Sequence, residues 1–320
     1  MHMILEYEYF VNKLNEKLFE GSSKDLLEKI VSNPDRYVGI FRPTKPKTKL
    51  IQNITQSHEI KFGDALEEIF EDYFRKLGFE ILPKRLSEQE TCDNKVYSID
   101  QLFKKDNIVY LIEQKVRDDH DSTKKVGQFN NFEKKYYEVS KKYSGNEVIP
   151  IMWFIDDSLR KNKNYYNNEM YRMAEDYGCF PKLYYGEELF SKNEEGMQDI
   201  PYEMWSEINE YLMLWKKTLP DMPEVNFDIN SEEVFEEIKD LSPALYRKLF
   251  ENEDLVEQIL PIIFTTGEVL RKLEKYFYSK KDKKIYETLY KKINEYICTN
   301  FEKENDRYLV AEESEEYINN

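Results

Sequence analysis

The stretch Tyr97–Lys115, YSIDQLFKKDNIVYLIEQK, restricts the chain more than any other. Two apolar, β-prone runs, Tyr97–Phe103 and Ile108–Val116, flank the polar Lys104-Lys105-Asp106-Asn107, a pattern that predicts a hairpin. A two-residue loop at Asp106-Asn107 pairs Lys105 with Ile108 and sets Asp100 opposite Glu113. A four-residue loop shifts the pairing by two and, because side chains alternate, still leaves both carboxylates on one face. Lys115 shares that face. Like charges directly opposite each other destabilise a sheet, so the pair needs a neutralising partner. Mg²⁺ suits it, since this ion takes one or two carboxylates and keeps several waters. The competing reading is an edge-strand pair facing water, with Lys115 as a salt-bridge partner. The apolar flanks VYSI and IVYLI favour central strands instead.

The remaining composition sets wide bounds. A chain of 320 residues with 15% aromatics can bury one large core or two ordinary ones, and is not a disordered chain despite 34% charged residues. No apolar run approaches the roughly 18 residues of a membrane span, and no secretory signal is evident, so a soluble intracellular protein is expected. Cys92, Cys179 and Cys298 are too far apart for a zinc site or a disulfide framework. The net charge of −16 argues against nucleic acid only until it is localised. Glu187–Glu257 carries about 20 acids against 6 bases, which leaves the rest near neutral. Within that rest lie basic clusters at Arg42, Lys45, Lys47 and Lys49, at Lys124 and Lys125, and at Arg160, Lys161 and Lys163. Phosphate binding needs a positive surface, not a positive protein.

In chain order, Ile4–Asn33 predicts two helices broken at Gly21-Ser22-Ser23, with Ser23 capping the second. Asp35–Asp64, with Pro43 and Pro46, reads as an extended basic arm. Lys45, Lys47 and Lys49 there either follow a DNA groove or backbone, or belong to a solvated connector. Gly63–Leu77 is a helix with Leu66, Ile69, Phe70, Tyr73, Phe74 and Leu77 on its apolar face and Gly78 as its stop. Glu68 and Glu71 lie on its wet side. Glu67 borders the stripe one turn from Gly63, where close backbone approach is possible, and either reaches the carboxylate pair as a third acid or stays in water. A helix is expected over Val126–Tyr143, with Lys124 and Lys125 as phosphate contacts at its start. Gln128 in its first turn would touch DNA or position a water; His120 before it reads as a solvated loop residue. Val148–Ile155 is a strand buried on both faces, Lys163–Tyr177 a helix, and Phe180–Tyr185 a further strand. The class is therefore α/β (α+β), a mixed central sheet flanked by helices. The last third is helical: Tyr202–Trp215, Ser231–Lys239, Ser242–Phe250, and a helical hairpin over Thr266–Ile297. Three segments follow: 1–60 with helices and the basic arm, 61–200 as the core, and 201–320 as a region for recognition or dimerisation.

Ile99-Asp100 followed by Glu113-Gln114-Lys115, with the Glu67 helix before and the Gln128 helix after, resembles the PD-(D/E)xK nuclease superfamily, and within it type II restriction endonucleases. Ile99 replaces the proline usual before the first acid. The resemblance spans about Gly63–Tyr185. It implies that Asp100 and Glu113 bind Mg²⁺ (with Mn²⁺ as substitute), that Lys115 serves the attacking water, and that Glu67 is the acid supplied by the preceding helix. It further implies a cytoplasmic prokaryotic enzyme of a restriction-modification system that cuts double-stranded DNA at a specific sequence; two cuts at a symmetric site would need two active sites and so favour a homodimer, and no membrane partner is expected. The alternatives are a repair or recombination nuclease of the same fold, or a catalytically inactive DNA-binding protein. No glycine-rich phosphate loop, HExxH helix or nucleophile elbow is present in the sequence.

Overall fold

A computed structural model describes residues 3–191 and 196–302. The chain begins with helices α1 (Tyr7–Phe19), α2 (Ser22–Ser32) and α3 (Pro46–Lys76). Strands β1 (Glu80–Ile81), β2 (Arg85–Leu86), β3 (Tyr97–Ser98), β4 (Gln101–Lys105) and β5 (Ile108–Lys115) follow. Then come α4 (Ser122–Lys142), β6 (Glu147–Phe154), α5 (Lys163–Tyr177), β7 (Lys182–Tyr185) and α6 (Tyr202–Lys216). Helices α7 (Ser231–Ile238), α8 (Pro243–Glu251), α9 (Glu253–Gln258), α10 (Leu260–Ile263), α11 (Glu268–Ser279) and α12 (Lys284–Ile297) complete the described chain. Among the described residues no helix is long and apolar enough to cross a membrane. The packed chain divides into two units, one of Met1–Leu18 with Ile60–Leu219, the other of Phe19–Glu59 with Pro220–Asn320.

The first unit is built on a five-stranded mixed sheet of order β1-β4-β5-β6-β7. The first two pairings are antiparallel and the last two parallel. Lys105 pairs with Ile108, so the hairpin loop is the two-residue Asp106-Asn107, with Asp106 at φ 51, a left-handed conformation that aspartate tolerates. Strands β5 and β6 are apolar on both faces because both are covered. On one side Leu102, Val109, Leu111, Met152 and Phe154 pack with Phe129, Phe132 and Val139 of α4 and with Tyr166 and Met170 of α5. On the other, Phe103 meets Phe74 of α3 at 4.3 Å between ring centroids, and Trp153 meets Phe70 at 4.6 Å. Each such buried ring stabilises the unit by about 1.5–3 kcal/mol, which fixes the two helix layers on the sheet. Helix α6, grouped with the C-terminal segment on sequence grounds, belongs to this unit. Its Glu207 accepts from the Ile4 and Leu5 N–H groups at 2.9 Å each and from the Tyr73 hydroxyl at 2.8 Å.

The second unit is helical. Leu26, Leu27 and Ile30 of α2, Val234 and Ile238 of α7, Tyr246 and Leu249 of α8, and Leu289 and Ile293 of α12 form one core with Leu270, Leu273 and Phe277 of α11. These α11 residues, spaced three and four apart on one helix face, are interior. Ser23 does not cap α2. Its N-terminal amides are taken by Glu237, which accepts from Gly21 at 2.9 Å and from Ser23 at 3.1 Å. Ser242 caps α8, accepting from the Leu245 N–H at 3.3 Å, and Asn230 flanks the start of α7.

Two local expectations fail for identifiable reasons. The arm predicted over 35–64 is helical from Pro46 onward. Proline in the first helical position sacrifices only an N–H that has no intrahelical partner, so Pro46 starts a helix rather than preventing one. Leu50 is fully buried, and Ile51 and Ile54 pack beside it against the helical core. The run Tyr97–Phe103 is not one strand either. Tyr97–Ser98 pairs with Arg85–Leu86 in a separate ribbon, and β4 begins only at Gln101. Asp100 stands at the break.

Candidate active site

Side-chain alternation along β5 puts Glu113 and Lys115 on the face shared by Val109 and Leu111, beneath α4, while Gln114 faces α3. Counting back from Gln101 opposite Ile112 places Asp100 opposite Glu113. Because Asp100 precedes β4, its carboxylate continues the ladder: Oδ2 accepts the Gln114 N–H at 2.9 Å. Lys115 donates to the same oxygen at 2.7 Å and lies 3.0 Å from Glu113 Oε1. The three residues expected together from the hairpin register are together.

The remaining oxygens are covered by a residue that the sequence pattern did not single out. Lys135 of α4, only 4% exposed, places Nζ 2.6 Å from Glu113 Oε2 and 3.7 Å from Asp100 Oδ1. An opposed Asp and Glu do need positive charge, as their repulsion implied. The charge this chain itself supplies comes from two ammonium groups. A signal for Lys135 was available: Phe129, Phe132, Tyr136 and Val139 form the buried stripe of α4, and Lys135 falls inside it at helical spacing from Phe132. A lysine on a buried helix face must meet an anion, because an isolated buried charge is too costly.

Glu67 enters from the opposite helix. Its carboxyl is pushed up to about 7 by burial first and by the Asp100 charge second, against the pull of Lys115 and Lys84. Gln101, 1% exposed, ties the backbone at Glu67 to the hairpin, donating to its carbonyl at 2.6 Å and to Gln114 Oε1 at 3.2 Å. Gly63 does not account for this approach. A Cβ there would meet only Val116 Cγ2, at an ordinary 3.7 Å. For Lys115, burial acts to lower the pKa, but Glu113 and Asp100 outweigh it and hold the amine protonated, above lysine's ordinary range. In this state it is a hydrogen-bond donor and a positive charge.

Beyond Lys115 the chain leaves the sheet through Asp118, which is fully buried. Its Oδ2 accepts from the Asn162 N–H at 2.7 Å and the Tyr185 hydroxyl at 3.0 Å, and Oδ1 from Asn162 Nδ2 at 2.8 Å. The acidic loop therefore contains an anchor that binds the end of β5 to the segments after β6 and at β7. His120 is half-buried and its backbone carbonyl accepts from Asn162 Nδ2 at 3.1 Å.

The residues predicted to meet DNA divide between the two units, Lys45, Lys47 and Lys49 in the second and Lys124, Lys125 and Gln128 in the first. Lys45 and Lys47 are exposed, and Lys49, half-buried, reaches Gln52 at 3.4 Å. At the start of α4 Asp121 is the N-cap, accepting from Thr123 at 3.1 Å and Lys124 at 2.8 Å, so those amides are already occupied. Lys124 is exposed, whereas Lys125 lies 4.7 Å above the Tyr165 ring. Gln128 turns inward and accepts from the Tyr166 hydroxyl at 3.0 Å, with its Nε2 buried and unbonded. Its inward direction reflects packing between α4 and α5, which the sequence position alone did not convey.

Among the described residues no group of three or more His, Cys, Asp or Glu side chains is assembled as a metal cluster. Asp100 and Glu113 nevertheless fit a small hard cation. A single ammonium, that of Lys115, touches an oxygen of each, so the carboxylates converge closely enough for one ion to bind both, with water completing its shell. A family model described as type II restriction endonuclease, HinfI, matches residues 7–84 and 78–204, which include Glu67, Asp100, Glu113, Lys115 and Lys135. No curated protein matches the chain, and no solved structure does.

Proposed function

The chain belongs to the HinfI family of type II restriction endonucleases, and from that premise we propose that it hydrolyses phosphodiester bonds of double-stranded DNA at a specific sequence, in a Mg²⁺-dependent reaction at Asp100, Glu113 and Lys115. The observation that carries the site is the convergence of both carboxylates on the Lys115 ammonium at 2.7 and 3.0 Å. Restriction endonucleases act on DNA and generally use a divalent metal; Mg²⁺, with Mn²⁺ as substitute, is the ion proposed here. Bound there, it would polarise phosphoryl oxygens and lower the pKa of a water.

The chain's own groups divide the remaining work. Asp100 and Glu113 hold the ion. Lys115 donates N–H toward the attacking water or a phosphate oxygen and offsets charge that builds on the phosphorus centre. Glu67, with a carboxyl that titrates near 7, exchanges a proton with water at this end of the site near neutral pH. Lys45, Lys47, Lys49 and Lys124 bind phosphates, and contribute affinity without sequence information. Lys125 and Gln128, both engaged with α5 residues, would act on DNA only through the start of α4. The cytoplasm of a prokaryotic cell is the compartment this function requires.

Purified protein incubated with plasmid, with and without Mg²⁺, tests the reading. Discrete bands that require Mg²⁺ are expected. Smears or cuts confined to branched DNA would instead indicate a repair nuclease, and no cleavage with any divalent ion a binding protein. Asp100→Asn should lower the cleavage rate by at least about a hundredfold while the circular-dichroism spectrum is kept. Full activity in that variant would refute the site.

A further inference from the structure

We propose that Lys135 is a built-in counter-ion that keeps the carboxylate pair balanced without metal, so that the divalent ion is bound tightly only together with a DNA phosphate. The inference rests on the reading of Asp100 and Glu113 as the metal ligands. It concerns when the metal binds, not whether this is the site.

Each acid meets both lysines. Glu113 Oε2 is held by Lys135 at 2.6 Å and Oε1 lies 3.0 Å from Lys115; Asp100 Oδ2 is held by Lys115 at 2.7 Å and Oδ1 faces Lys135 at 3.7 Å. Two carboxylates and two ammonium groups sum to zero. A divalent ion added to this set makes it doubly positive in a place where the Glu113 and Lys135 side chains are 4% and 5% exposed. Water there screens little, so the excess charge is costly.

Loss of the Glu67 proton offsets one of the two added charges at most, and two further changes relieve the rest. The Lys135 ammonium can withdraw from Glu113, or an anion can arrive. Withdrawal is opposed by position, because Lys135 sits on the buried side of α4 between the core residues Phe132 and Val139. A phosphodiester brings the missing negative charge. Lys115 differs: at 28% exposure its side chain reaches solvent and can follow the substrate. The geometry therefore makes metal and DNA mutually dependent ligands, and by linkage each tightens the other by the same factor. In the cell such an arrangement limits idle loading of the site with metal when no substrate is bound. Lys135 is a positioning residue here, acting through Glu113.

Mn²⁺ binding, read from the paramagnetic resonance signal of the free ion, tests this on the full chain without using activity. For the wild type, Mn²⁺ affinity should rise about tenfold or more when a duplex with non-hydrolysable phosphorothioate linkages at its cleavage site is present. Lys135→Met should bind Mn²⁺ about tenfold more tightly than the wild type without DNA, show a larger Mn²⁺-dependent rise in melting temperature, and lose most of the DNA effect. Lys135→Arg should restore wild-type behaviour. Equal wild-type affinity with and without DNA would overturn the proposal, and needs no variant to fold. So would unchanged or weaker Mn²⁺ binding in a folded Lys135→Met. Asp100→Asn separates the two readings. If it abolishes Mn²⁺ binding while Lys135→Met leaves it unchanged, only the coupling fails; if it retains wild-type Mn²⁺ binding, the metal-site reading fails.

Discussion

Glu67 has a pH signature that can be read without substrate. Its folded carboxyl titrates at about 7, above the ordinary value of 4.5, because burial and Asp100 disfavour its charge. The folded state thus keeps a proton that the unfolded chain releases. Stability from this group is present below pH 4.5 and is lost as pH rises through 7. Glu67→Gln removes the titration, so the variant should gain about 1–2 kcal/mol over the wild type at pH 8 and little at pH 5, after allowance for partial solvent screening. Metal-free melts at the two pH values check this, and an equal difference at both would contradict it. Asp100, Glu113 and Lys115 were legible in the sequence because strand alternation has a period of two and needs no tertiary information. Lys135 is less legible because lysine ordinarily faces solvent, although its place in the Phe132–Tyr136–Val139 stripe marks it as buried. Asp118 gave no comparable signal, since its partners Asn162 and Tyr185 are distant in sequence and meet it only in the fold.

Helix α3 shows how element boundaries depend on packing. Its C-terminal half announces itself by a broad apolar stripe, whereas its first half is polar and opens on a proline. Burial of Leu50 against the helical core settles that half as helix. The basic residues therefore stand on a helix start and the turn before it, not along a pliable arm. A rigid cationic surface loses less freedom on meeting a phosphate backbone than an extended tail does. Replacing Lys45, Lys47 and Lys49 together with alanine should weaken DNA binding alike for all sequences. It should also reduce the slope of log affinity against log salt by about 2–3, near 0.9 for each phosphate no longer neutralised. An unchanged slope in a salt titration by fluorescence anisotropy would remove these residues from the interface. Lys125, stacked on Tyr165, and Gln128, bonded to Tyr166, should matter less to that slope, because the fold gives both side chains partners within the protein.

At the scale of the molecule, the proposed site supplies one Asp100–Glu113–Lys115 set per chain, whereas a duplex has two strands to cut. Two symmetric cuts need two active sites, so a two-chain assembly is expected during cleavage. Sedimentation of the protein with its cognate duplex in Ca²⁺ should give two chains per duplex. A single chain per duplex that still makes double-strand breaks would exclude the dimer. The two packed units divide the chain discontinuously: residues 19–59 join the C-terminal helices, and α6 joins the sheet. The sequence marked the helices themselves, as with the apolar face of Gly63–Leu77 and its Gly78 stop, but not their grouping. By itself it determined the mixed sheet, the hairpin and the shared face of the two acids, since these follow from local periodicity and turn chemistry, while the pairing of Lys105 with Ile108 chose between the two registers it allowed. Only the tertiary structure decided that Lys135 reaches the pair from a helix, that Glu67 is desolvated enough to titrate near 7, and that Pro46 begins a helix. Those outcomes depend on which surfaces are removed from water by segments far apart in the chain, a quantity that no local pattern contains.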